Sequence, residues 1–181
     1  MEKPKGFADR VEGWMARIPG VRTYREREHR RETDKKLREH LASRLQEVRS
    51  QMKKVVLDLS TRGQMESLSK LDRLSSHLQQ MADTIRYASY GYGGIFDVEK
   101  IREEELNRLY TFDLLLVDDL ERIQKNVGEI GPASSPTERE KKIEETETFL
   151  DSLETKFNQR KEFMSLPANG AQEPQAIPKK G

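Results

Sequence analysis

The sequence predicts an all-α protein: an elongated antiparallel helical bundle or coiled coil of about four long helices, preceded by a short amphipathic N-terminal helix. Three observations predict it. No Pro occurs between Pro19 and Pro132, so most of the 181-residue chain lacks the strongest helix breaker. The stretches left open by Gly and Pro carry Leu, Ile, Val and Met at steps of three and four, and β-branched alternation is absent. Apolar residues are scarce, with 34% in the AVILMFWYC set against 36% charged. Such a chain buries narrow helical stripes rather than a thick, multilayer core.

Residues 1–20 read as a unit of their own. Phe7, Val11, Trp14, Met15 and Ile18 fall on one face of a short helix, flanked by Lys3, Lys5, Arg10 and Arg17 and opposed by Asp9 and Glu12. Pro19-Gly20 stops it. An aromatic face with flanking bases suits a helix lying in a membrane interface, and the same face suits docking on the bundle or in a partner's groove. These five residues are therefore the candidate membrane or partner face.

Residues 21–166 form the bundle or coiled-coil domain, in four Gly/Pro-free stretches: 21–62, 64–90, 95–127 and 137–166. The first has a heptad-like seam of Leu37, Leu41, Leu45, Val48, Met52, Val55 and Leu59. Its first part, 22–36, has Tyr24 and otherwise nothing apolar, which predicts a charged helical overhang or a segment that buries only against a partner. The second stretch steps through Leu68, Leu71, Leu74, Leu78, Met81 and Ile85. Gly63 between them reads as a hairpin turn, with Thr61 and Gln64 placed for a capping box, although a lone Gly is a weak break and one continuous rod is the alternative. The third is apolar on more than one face, through Leu109, Phe112, Leu116, Leu120, Ile123 and Val127 plus Leu114, Leu115 and Val117, which predicts the most central position. Asp97 is placed to cap it, Phe96 and Ile101 to staple it, and Gly128 and Gly131 to end it. The fourth opens on Ser135-Pro136-Thr137-Glu138, a capping box with Pro at the first helical position. Its stripe of Ile143, Leu150, Leu153, Phe157 and Met164 is interrupted at Thr146 and Arg160, which predicts the poorest packing. Residues 167–181 have the composition of a disordered tail.

Charge is balanced overall at +1 but uneven along the chain. Residues 22–54 hold 12 basic and 6 acidic side chains, and residues 97–145 hold 8 basic and 14 acidic. The simplest use of that asymmetry is for the two halves to lie against each other, and attraction between different chains is the other. The interleaved acids and the lack of aromatic interleaving in 22–54 argue against nucleic acid.

Few residues point to chemistry. The chain has no Cys, which excludes disulfides and thiolate chemistry. Glu26 and His29 match Glu-x-x-His, a spacing used in carboxylate-bridged metal bundles, but no second such pair exists. Asp118 and Asp119 are helix neighbours pointing about 100° apart, a poor acid/base pair. No Gly-rich segment has a phosphate-cradle pattern, so no cofactor, metal or small-molecule substrate is expected. The most unusual segment is the Gly/Tyr-rich connection at 87–97. It reads as a cover for the bundle end, with Tyr87, Tyr90, Tyr92 and Phe96 as the candidate partner-contact loop. The longest apolar run, 114–117, is far short of the ~20 residues of a spanning helix.

These features favour a non-enzymatic scaffold or adaptor that acts through protein–protein contacts and self-association, supported by the thin seams and the 22–36 overhang. A peripheral membrane protein, bound to an anionic surface through the N-terminal helix, is the alternative, and a metal-binding bundle enzyme is a distant third. The expected setting is cytoplasmic, at the inner face of a membrane in the alternative reading.

Overall fold

A computed structural model describes residues 7–89 and 94–165. It is all-helical, with α1 (Phe7–Arg17), α2 (Arg27–Thr61), α3 (Leu68–Arg86), α4 (Glu103–Ile130) and α5 (Pro136–Ser165). The tail, 167–181, lies outside the described residues.

Helices α2 and α3 form one hairpin and α4 and α5 the other; α2 packs on α4, α3 packs on α5, and α1 lies along α4. Around the bundle the order is therefore α2, α3, α5, α4. Helix α4 touches α1, α2 and α5, the central position that its broad apolar surface predicts. This order puts α3 and α4, joined in sequence, on opposite corners. Of the chain that joins them, residues 94–102 lie over the bundle end, where the Ile95 N–H meets the end of α5 and the Val98 and Glu99 carbonyls meet Arg30.

The hairpin turn at Gly63 has a physical signature. Gly63 adopts φ +72°, its N–H donates to Ser60 O at 3.1 Å, and the Gln64 N–H donates to Leu59 O at 2.9 Å. These two bonds satisfy the last free carbonyls of α2 in a Schellman ending. The Thr61–Gln64 box does not form, because Thr61 is still helical and its hydroxyl donates to Leu57 O. At the start of α5, Ser135 Oγ accepts the Glu138 N–H at 3.2 Å, and the Glu138 carboxylate accepts the Ser134 N–H at 2.9 Å.

Helix α4 begins later than its sequence suggests. Asp97 does not cap it and Phe96 does not staple it. Arg102 takes the N-cap position, and Glu105 accepts the Arg102 N–H at 3.0 Å. Residues 95–102 stay irregular because they cover the N-terminal end of α2: the Val98 and Glu99 carbonyls accept from the Arg30 guanidinium at 2.6 and 3.4 Å. Gly128 lies inside α4 and does not end it; Gly131, in right-handed geometry, does.

Two packing expectations are corrected. The 22–36 segment is no bare overhang. It does run beyond α3, since Arg38 already meets the last residue of α3 by donating to Arg86 O. Yet Tyr24, Arg30, Thr33 and Asp34 are buried, closed over by α1, α4, α5 and the connection. Likewise α5 packs extensively on α4, and both apparent interruptions of its stripe, Thr146 and Arg160, are buried. Thr146 Oγ1 satisfies itself on Lys142 O at 2.7 Å. Arg160 is satisfied across the core.

Candidate functional site

The buried end of the bundle is held by ions. Arg160 of α5 is fully buried and donates from Nε to Asp113 Oδ1 at 2.5 Å and from Nη1 to Asp34 Oδ1 at 2.7 Å. Its Nη2 reaches Tyr24 Oη at 3.1 Å, and the Tyr24 hydroxyl donates to Asp113 Oδ2 at 2.9 Å. Arg38 closes the set from the rim, on Asp34 Oδ2 at 2.9 Å. Two carboxylates thus face two guanidinium groups. Since α2 and α5 are on opposite corners, Arg160 spans the middle of the bundle and ties α2, α4 and α5 together with the segment before α2. Burial drives the Tyr24 phenol well above its usual range, reinforced by the Asp113 charge, so it stays a donor. Burial also raises the Asp113 carboxyl, against the pull of Arg160. A third buried carboxylate, Asp119, takes Lys156 at 2.6 Å. These groups are spent on one another, and Asp113 and Arg160 have no exposed surface to offer a substrate.

The N-terminal face lands partly inside. Trp14 and Ile18 are fully buried, Phe7 and Val11 pack half-buried against the core, and Met15 is 43% exposed. The Trp14 ring lies 5.2 Å from Tyr24 and 5.0 Å, edge-on, from Tyr110. Phe7 meets Tyr110 at 5.9 Å, and the Arg25 guanidinium sits 5.1 Å over the Phe7 ring. Arg17 clamps the far end of α1 to Asp118 at 2.7 Å and Glu121 at 2.9 Å. Between α1 and α4 runs an open, mainly apolar groove of about 590 Å³, lined by Phe7, Val11, Met15 and Tyr110 with the exposed charges Glu12 and Arg25. This groove is the candidate site.

The connection loop contributes less surface than its aromatics suggest. Tyr87 is 75% exposed, but Phe96 is buried and stacked on Tyr24 at 5.8 Å, so it covers the ionic end rather than facing a partner. Tyr90 and Tyr92 lie outside the described residues. Ile95 N–H donates to Met164 O at 3.1 Å, and a Cβ on Gly94 would run into that same carbonyl, so the close approach requires glycine.

His29 sits among Arg22, Glu26 and Glu32, and His77 pairs with Glu154 at 3.6 Å. Among the described residues no group of three His, Cys, Asp or Glu is placed to hold a metal. The charge asymmetry is not what joins the halves. Among the described residues one ion pair links 22–54 to 97–145, Arg31 with Asp97 at 2.8 Å, while Lys36, Arg38 and Arg44 pair with acids of α2 itself. The apolar seams do the joining.

Sequence reasoning missed Tyr24, Asp34, Asp113 and Arg160 as a set. The available signal was two breaks of register: a lone Tyr in a charged run, and an Arg in a core position.

The fold thus defines an all-α four-helix bundle with a docked N-terminal helix. No protein-family model, no curated protein and no solved structure matches this chain. Among the described residues no helix is long and apolar enough to cross a membrane.

Proposed function

We propose that the chain is a non-enzymatic helical scaffold that acts through protein–protein contacts and self-associates, with the α1–α4 groove as its contact face. The 22–36 overhang is filled from within, so self-association rests on the groove. The observation that carries it is the groove's exposed apolar lining with one acid and one base beside it. Phe7, Val11 and Met15 form its apolar wall, and the groove carries one acid, Glu12, and one base, Arg25. A two-fold pairing of copies would bury the two apolar walls together and bring Glu12 toward the other copy's Arg25, the isologous arrangement commonest among homodimers. The interior supports the same reading, since the buried ionic groups are used in cohesion.

Light scattering across a concentration series tests this. The wild-type mass is expected to rise from one chain toward two, and Met15→Glu, a change at an exposed position, is expected to hold it at one. A wild-type mass of one chain at every concentration contradicts self-association through this face.

A further inference from the structure

We propose that α1 is also a latch: it leaves the bundle to lie on an anionic lipid surface, and the clamp of Arg17 on Asp118 and Glu121 governs the exchange. This does not rest on self-association. The 11 residues of α1 fall below the ~12–15 at which an isolated helix is even marginal in water, so α1 needs a surface to remain helical. The bundle provides one surface and a lipid interface another, both taken by the face of Phe7, Val11, Trp14, Met15 and Ile18.

The fit on the bundle is incomplete, most clearly at Trp14 and Met15. The buried Trp14 Nε1–H meets no acceptor among the described residues, and Met15 remains partly in water. A buried donor without a partner weakens the docked state. At a bilayer interface the indole N–H reaches water and headgroups while Met15 enters the acyl region. The attachment also suits release. Among the helices α1 touches α4, and it is joined to the rest through exposed Pro19-Gly20, where Gly20 adopts φ +73° with open space around it.

Arg17 sets the direction of the exchange. Docked, it is held by two partly exposed carboxylates. Released, it meets anionic headgroups, which offer the same charge-assisted bonds, and Lys3, Lys5 and Arg10 add positive charge in the same stretch of sequence. Release uncovers Tyr24 and Tyr110, so the free helix is not populated in water, and lipid must supply the difference between the two states.

The sole Trp makes the test specific. The full chain is mixed with vesicles of phosphatidylserine and phosphatidylcholine, the latter either plain or brominated on its acyl chains, bromine quenching indole on contact. Brominated vesicles are expected to quench Trp14. Asp118→Asn/Glu121→Gln, which loosens the clamp without touching α1, is expected to bind at severalfold lower lipid concentration. Met15→Glu is expected to abolish quenching while leaving the helical circular dichroism of the lipid-free protein unchanged, because Met15 is already partly exposed in the docked state. Equal emission with plain and brominated vesicles in wild type and clamp variant overturns the proposal. So does equal lipid affinity of the two proteins, which removes the clamp. Equal binding to pure phosphatidylcholine removes the anionic requirement and also overturns it.

Discussion

At the residue scale, Arg160 matters most. Replacing it by Met leaves Asp34 and Asp113 buried without their shared cation, which costs about 3–5 kcal/mol for a broken buried pair. Urea unfolding of R160M reads that loss. The double variant D113N/R160M is expected to lose less than the sum of the singles, because the two groups share one network. Asp113 also gives a signed pH effect. Burial raises its carboxyl pKa, so the folded chain holds that proton more tightly than the unfolded chain does. Its contribution to stability is full below the unfolded value of about 3.9 and is lost as pH rises through the raised folded value. The stability of wild type minus that of Asp113→Asn is therefore expected to fall across that window and to level above it. A difference that grows with pH contradicts the assignment. The partners were not legible in the sequence, because a buried ion and a solvated one are the same letter. Arg160 and Asp113 are 47 residues apart and Arg160 and Asp34 are 126 apart. The pattern shows that a stripe is broken at Arg160 without showing what fills the break.

Elements were far more legible, because helix repeat and punctuation are local properties. Gly63 is an example: a lone Gly between two Leu seams is the turn, held in left-handed geometry, and a Cβ added there would meet nothing within 4 Å. Gly63→Ala therefore meets a backbone penalty alone and is expected to cost about 1–2 kcal/mol, read by thermal unfolding. Gly94→Ala is a different case, since its Cβ meets the Met164 carbonyl and must lift the connection off the end of α5. It is expected to destabilise the bundle and to expose the Arg30 bonds to Val98 and Glu99, seen as faster hydrogen exchange at the start of α2. Helix ends are least legible where tertiary structure overrides local signals. Asp97 has cap chemistry, but its segment is drawn across the end of α2. Gly128 is a weak breaker, and α4 continues through it because Val127 and Ile130 are buried on either side.

The whole molecule was legible as a class and not as an arrangement. Seams of similar spacing are compatible with several helix orders, and nothing in the sequence signals that α2 and α5 lie diagonally, nor that 94–102 closes over the ions. The same holds for α1: an amphipathic face announces burial, and the choice of surface depends on the aromatic pocket of Tyr24 and Tyr110 that the fold assembles. Because Trp14 fills that pocket, Trp14→Ala is expected to cost about 3–5 kcal/mol, as large aromatic-to-Ala changes in cores do. A loss below about 1 kcal/mol, far under that range, would mean that α1 contributes little to the core. The most direct measurement is the emission and acrylamide quenching of Trp14 in the lipid-free protein, followed through thermal unfolding alongside helical circular dichroism. A docked α1 gives blue, poorly quenched emission that is lost in the same transition as the helices. Red, freely quenched emission while the helices are intact would contradict the docked helix, and with it both the contact groove and the latch.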